Sequence, residues 1–305
     1  MLILITGASG QLGCELKEVL KAEQLTLADL PEFDVTKSDI EERIVSARPA
    51  VVIHAAAYTD VDGAEREPER AMAVNADGTE RVAKAAAKAG ARFIYLSTDY
   101  VFDGRKGTPY LEIDEPNPLS VYGRSKFEGE RLALACCPRA VILRTAWLYG
   151  THGKNFVKTI MKLALEQQEL RVVADQRGCP TYARDLAVAI AKLIKLDTSN
   201  LGPRTLHLAG AGDCTWHEFA CEIVSLMGSS AKVHPITTAE SNRKARRPPY
   251  AVLANTILAK NGIELPHWKD ALGRFMREHE AVRSSMFEVP EPRTSNPEPR
   301  TGAKA

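Results

Sequence analysis

Tyr122 and Lys126 stand four residues apart in the run Tyr122-Gly123-Arg124-Ser125-Lys126. On a helix that spacing puts both side chains on one face, one above the other. An ammonium beside a phenol favours the phenolate, lowering a pKa that begins at about 10 in water. A phenol tuned this way gives a proton to a developing alkoxide and takes it back in reverse. Alone the pair says little, because Tyr and Lys at this spacing are common on solvated helix faces. Two other stretches give it a context. Gly7-Ala8-Ser9-Gly10-Gln11-Leu12-Gly13 follows an apolar N-terminal run, and Ser97-Thr98-Asp99 closes another.

Glycines 7, 10 and 13 follow a G-x-x-G-x-x-G spacing, a variant of the dinucleotide fingerprint. They permit a tight turn and close approach of backbone to a pyrophosphate, while the helix that follows aims its N-terminal N–H groups at that anion. Gln11 and Leu12 belong to the same turn. Asp29 lies 22 residues after Gly7, where an acid at the end of a second strand accepts from an adenosine ribose hydroxyl. It would also repel a 2′-phosphate and so mildly favours NADH over NADPH; a plain turn or helix cap is the alternative. Asp34 and Val35 are placed to flank the adenine. Ala55-Ala56-Ala57-Tyr58-Thr59 has small side chains that let backbone approach a cofactor, although tight packing explains the alanines equally well. Thr98 could orient and polarise a substrate carbonyl together with Tyr122, where a strand-end threonine is ordinarily just a turn residue.

The elements that must hold these residues read as alternating strand and helix. Strands are expected at residues 1–6, 25–28, 50–54, 91–96 and 140–143, with helices between them, one of them continuous from Glu67 to Ala89. That alternation calls for an α/β Rossmann-type doubly wound parallel sheet, in which ligands sit beyond the carboxyl ends of the strands. Gly7, Asp29, Ala55 and Ser97 all fall at such ends. Residues 1–150 form the expected dinucleotide-binding domain, with 168–198 returning to the sheet. Residues 151–167 and 199–283 form a smaller C-terminal substrate-binding lobe, and the proline-rich 284–305 a disordered tail.

Composition narrows the function. Forty basic residues against thirty-nine acidic ones leave no basic surface for nucleic acid or membrane. Six cysteines without C-x-x-C spacing and seven scattered histidines suggest reduced thiols and no zinc site. No apolar stretch approaches the ~20 residues of a membrane span, and the N-terminal run is too short for a signal peptide. A cytoplasmic protein is expected.

In this order and spacing the parts resemble the extended short-chain dehydrogenase/reductase superfamily, and within it the dTDP-4-dehydrorhamnose reductase family. The likeness is carried by the glycine turn, Ala55 to Thr59, Ser97-Thr98-Asp99-Tyr100-Val101-Phe102, Tyr122 with Lys126, Arg144-Thr145-Ala146-Trp147, Asp175 to Thr181, and Arg246-Arg247-Pro248. The resemblance implies reduction, by NADH or NADPH, of the C4 ketone of a dTDP-linked 4-keto-6-deoxy sugar. Tyr122 would protonate the new oxygen, and Lys126 would hold the nicotinamide ribose and lower the phenol's pKa. Thr98 and Asp99 would contact the sugar, Trp147 would line its pocket, and Arg246 or Arg247 would pair with the pyrophosphate. Some members dimerise through magnesium held by acidic residues. Glu15 matches one such position, but Arg184 and His267 occupy the others, so no metal site is expected here, and the chain is a monomer or a homodimer. Two other readings stay open. One is a nucleotide-sugar epimerase or dehydratase, although Tyr100 stands where a dehydratase has Glu after its Asp. The other is a non-catalytic dinucleotide-binding subunit like the methionine adenosyltransferase beta subunit.

Overall fold

The computed structural model describes residues 1–197 and 201–287. Its first half repeats strand and helix: β1 (Leu2–Thr6), α1 (Gln11–Val19), β2 (Gln24–Ala28), α2 (Ile40–Ala47) and β3 (Val51–His54). Two short helices follow, α3 (Val61–Arg66) and α4 (Pro68–Met72), then a π-helical turn over Ala73–Gly78 and α5 (Thr79–Lys88). The expected single helix from Glu67 is therefore interrupted, because the wide turn carries Asn75 inward. β4 (Arg92–Thr98), α6 (Val121–Cys136) and β5 (Ala140–Thr145) complete this half.

The second half is built of smaller pieces: β6 (Leu148–Tyr149), α7 (Phe156–Glu166), β7 (Glu169–Val173), β8 (Arg177–Gly178), β9 (Thr181–Tyr182) and α8 (Ala183–Lys195). Then come β10 (Thr205–His207), β11 (Cys214–Thr215), α9 (Trp216–Leu226), β12 (Lys232–Ile236), α10 (Thr256–Lys260) and α11 (Trp268–Phe287).

The main sheet has the order β10-β5-β4-β3-β1-β2, parallel throughout. β2 lies on one side of β1 and β3 on the other, so the chain reverses direction across β1 and opens a crevice at its carboxyl end. Each strand feeds two cores with alternate residues. Ile3, Ile5, Ile53, Ile94 and Leu143 face α1 and α8, while Leu4, Val52, Phe93 and Ile142 face α2, α5 and α6. A third core around Phe219, Ile223, Leu272 and Phe275 belongs to the smaller lobe.

Two expectations change. β7 pairs with β12 and not with the main sheet, so only α8 of the 168–198 segment returns, packing on α1. β10 lies in the main sheet beside β5 and not in the lobe. Strand pairing at a distance, invisible to local periodicity, decides both. Of the tail, residues 284–287 continue α11, and the remainder lies outside the described residues.

At the amino rim of the sheet the helix C-termini converge, and arginines answer their free carbonyls. Arg92 donates to Leu196 O at 3.0 Å, Arg139 to Gly90 O at 2.7 Å, and Arg204 to Leu134 O and Cys137 O at 3.1 Å each.

Candidate active site

Thr6, Ala28, His54, Thr98 and Thr145 end the first five strands and mark out the carboxyl rim. Gly7 turns the chain with φ +68°, and a Cβ there would lie 2.6 Å from Ala56 N. A Cβ at Gly13 would collide with the Gly7 carbonyl oxygen and with Ala8. The turn is thus closed tightly by glycine at two places, and α1 begins at Gln11 with its first-turn N–H groups unpaired within the helix. That cradle fits a dinucleotide pyrophosphate.

Asp29 is tied to the turn: its carboxylate accepts from Ser9 N at 2.6 Å and from Leu30 N at 2.8 Å. Beside it opens a recess of about 500 Å³ lined also by Lys17, Phe33 and Arg43. The two cations went unnoticed in the sequence because they arrive from α1 and α2 and not from the segment after Asp29. Asp34 caps its own turn through Thr36 N and Oγ1, while Val35 is buried. Ala57, Tyr58 and Thr59 leave β3 along the rim. Tyr58 N donates to Asn75 Oδ1 at 2.8 Å, and Asn75 Nδ2 donates to Tyr58 O and Ser125 Oγ. Asn75 and Ser125 are fully buried, so one amide joins the Tyr58 loop to α6. Sequence reading passed over Asn75 because it sits inside a helix-forming run.

Ser120 caps α6 by accepting from Gly123 N at 3.1 Å. Gly123 brings the helix against Tyr100, whose carbonyl any Cβ there would strike. These constraints seat Tyr122 beside the end of β4. Its ring meets Tyr100 edge-on at 5.5 Å, and both Tyr122 and Lys126 are buried. Dehydration holds the Tyr122 phenol well above its ordinary pKa, with the Thr98 hydroxyl pulling the other way. The net direction is upward, opposite to the lowering expected from the four-residue spacing. Lys126 Nζ instead donates to Leu96 O at 2.6 Å and stands 4.1 Å above the Tyr95 ring. Burial brings its own pKa down to about 7, against the opposing pull of Glu130.

Thr98 Oγ1 donates to Asp99 Oδ1 at 3.0 Å, and the other carboxylate oxygen of Asp99 is buried without a hydrogen-bond partner. Burial raises the Asp99 pKa to about 7. Behind these residues Arg144 forms a double hydrogen bond to Glu130, at 2.9 and 2.7 Å, and Ser97 donates to the same carboxylate. Trp147 follows β5, whose Thr145 is paired with Thr98.

Arg247 is held by Asp62 at 2.8 and 3.2 Å, a carboxylate it shares with Arg243, whereas Arg246 is exposed. Glu15 is buried and ion-paired to Arg184 at 2.5 Å. The described residues contain no group of three His, Cys, Asp or Glu able to hold a metal, and no helix long and apolar enough to cross a membrane.

A glycine turn at the switch point of a parallel sheet, with a buried Tyr and Lys one helical turn apart at the same rim, defines a dinucleotide-dependent oxidoreductase of the short-chain dehydrogenase/reductase type. The chain belongs to the family described as the RmlD substrate binding domain, whose model matches residues 1–281. It is 43% identical over 287 residues to a dTDP-4-dehydrorhamnose reductase of Sinorhizobium fredii, covering 90% of this chain and 97% of that one. It is 36% identical over 296 residues to that of Escherichia coli, covering 91% and 98%. Among solved structures, a dTDP-4-dehydrorhamnose reductase from Bacillus anthracis in complex with NADP superposes with a TM-score of 0.86 at 42% identity, covering 91% of this chain and 99% of that one. A UDP-glucose 4-epimerase from Thermotoga maritima, at 20% identity and TM-score 0.79, covers 93% and 100% and shares the fold.

Proposed function

We propose that this protein reduces the C4 ketone of dTDP-4-dehydro-6-deoxy-L-mannose (dTDP-4-dehydrorhamnose) to give dTDP-L-rhamnose, using NADH or NADPH. The observation that carries the reading is the convergence of Tyr122, Thr98 and Lys126, all buried, on the rim that also holds the Gly7–Gly13 turn. When bound, the reduced nicotinamide supplies the hydride. Gly7, Gly10, Gln11, Leu12 and Gly13 would hold its pyrophosphate and Asp29 its adenosine ribose. Asp34 and Val35 would border the adenine, and Ala57, Tyr58 and Thr59 the remaining ribose and phosphate side. Lys126 would bind the nicotinamide ribose.

The chain's own chemistry is proton transfer and positioning. A phenol whose pKa is raised by burial keeps its proton at neutral pH, and Tyr122 gives that proton to the oxygen that becomes the C4 hydroxyl. Thr98 and Asp99 orient the sugar, Trp147 walls its pocket, and the exposed Arg246 suits the pyrophosphate better than Arg247, whose guanidinium is committed to Asp62. Residues 151–182, 211–255 and 266–283 act as the substrate lobe, while Leu258, Ile263 and Leu265 between them pack into the core of the main sheet. The protein works in the cytoplasm as a monomer or homodimer, without a magnesium bridge at Glu15. Tyr100, edge-on to Tyr122, leaves no second acid at the position a dehydratase would use.

The test is loss of nicotinamide absorbance when the protein meets NADH or NADPH together with dTDP-4-dehydrorhamnose. Stoichiometric loss without turnover would overturn the proposal in favour of a regulatory dinucleotide-binding subunit.

A further inference from the structure

Two locally unfavourable features meet at Trp147. Its backbone has φ +43°, a left-handed conformation that is strained for a residue with a Cβ. Its indole also lies flat against that of Trp216, with centroids 3.4 Å apart and planes within 6°. Aromatic pairs favour offset or edge-on contact over such a sandwich, so the surroundings must impose it.

They do so from the Trp216 side. β8 and β11 pair antiparallel, setting Gly178 opposite Cys214 and Arg177 opposite Thr215. Thr215 then opens α9 with a reciprocal cap, its hydroxyl accepting from Glu218 N and the Glu218 carboxylate accepting from Thr215 N. Arg177 fastens the same corner through Asp213 at 2.6 Å and Glu218 at 3.1 Å. Trp216, the first residue of α9, is therefore rigidly placed, with Phe156 against it at 4.5 Å. Gly178 makes the room: a Cβ there would lie 2.5 Å from Trp147 Cε2 and 2.6 Å from Nε1.

We propose that Trp216 is a positioning residue for the sugar subsite, holding Trp147 in its strained pose so that the pocket wall is already rigid before a sugar nucleotide arrives. This rests on Trp147 lining that pocket, as proposed above. Ordering the wall in advance removes an ordering cost from binding, so the effect falls on the affinity for the sugar nucleotide.

The experiment compares Trp216→Ala, Trp147→Ala, the double variant and Trp216→Phe, each checked for folding by thermal melting. Steady-state kinetics are run with the sugar nucleotide and with the nicotinamide cofactor varied in turn. Far-ultraviolet circular dichroism reads the stacked indole pair directly. Trp216→Ala is expected to abolish the paired-indole signal and raise KM for the sugar nucleotide about three- to tenfold, the range an aromatic pair is worth. KM for the cofactor and kcat should stay within about twofold of wild type. Trp216→Phe, which keeps a flat ring, should recover most of the affinity. The double variant should be no worse than Trp147→Ala, because both changes act through one indole. Additive losses, or an equal rise in cofactor KM, overturn the proposal. An unchanged KM in Trp216→Ala beside a raised one in Trp147→Ala overturns it while leaving the pocket reading intact. Unchanged KM in both removes the pocket reading, and the proposal with it.

Discussion

The Lys126 ammonium is anchored to the Leu96 carbonyl at 2.6 Å, tying α6 to β4 one turn beyond Tyr122. A cation held there is costly to keep charged, and its pKa comes down to about 7. Lysine is protonated below its pKa and neutral above it. If the charged form supports the phenolate left by proton donation, kcat/KM for reduction should fall as pH rises through about 7. A pH–rate profile with a cofactor-saturated enzyme checks this. Lys126→Ala should lower kcat and cofactor affinity together; a shifted pH optimum with unchanged cofactor binding would remove the ribose contact from the mechanism.

Tyr122→Phe removes one oxygen from a packed ring and leaves the ring's contact with Tyr100 in place. Turnover should drop by about 10²–10⁴-fold, the usual worth of a positioned proton donor. Titration of bound NADH fluorescence should meanwhile show nearly wild-type affinity. An unchanged kcat would assign the proton to another group.

Asp99 gives a stability prediction with a definite sign. Its folded pKa is about 7 against an ordinary value of 3.8, so between those pH values the unfolded chain has released its proton while the folded one retains it. Stability therefore falls as pH climbs from about 4 to about 7, and levels off above that. Asp99→Asn escapes this cost. Thermal melts should show the variant gaining on wild type from pH 4 to pH 8; a pH-independent difference would show that Asp99 does not titrate in this range.

The Arg144–Glu130 pair is almost entirely buried, with 4% and 2% side-chain exposure. Glu130→Gln leaves a guanidinium without its counter-charge in an apolar setting, which costs on the order of 3–5 kcal/mol. Denaturant unfolding should register the loss even where cofactor binding survives. A loss under about 1 kcal/mol would mean that water reaches the arginine.

The parts legible in sequence were those whose physics is local. The apolar strand β1 and its glycine turn are neighbours in the chain, and alternating apolar strand and helical runs locate β2 to β5, though not β10. The parts that escaped are made by distant pairing. β8 and β11 are two residues each and exist only because they meet, and β12, with Pro235 inside it, reads as a broken strand until β7 lies beside it. The Tyr122–Lys126 spacing placed both groups correctly on α6 but misjudged their electrostatics, because dehydration outweighs the proximity of an ammonium that is already bonded elsewhere. Asn75 was hidden for a similar reason: a π turn inside an alanine-rich helix has no periodic signature.

The arginines of the amino rim give the molecule a chemical polarity. Arg92, Arg139 and Arg204 each donate to helix-end carbonyls around a recess of about 850 Å³ at that edge, while the opposite edge presents the first-turn amide hydrogens of α1 beside the Gly7 turn. Replacing one of these arginines is consequently expected to be read out in melting temperature, and adding a side chain at Gly7 or Gly13 in cofactor affinity.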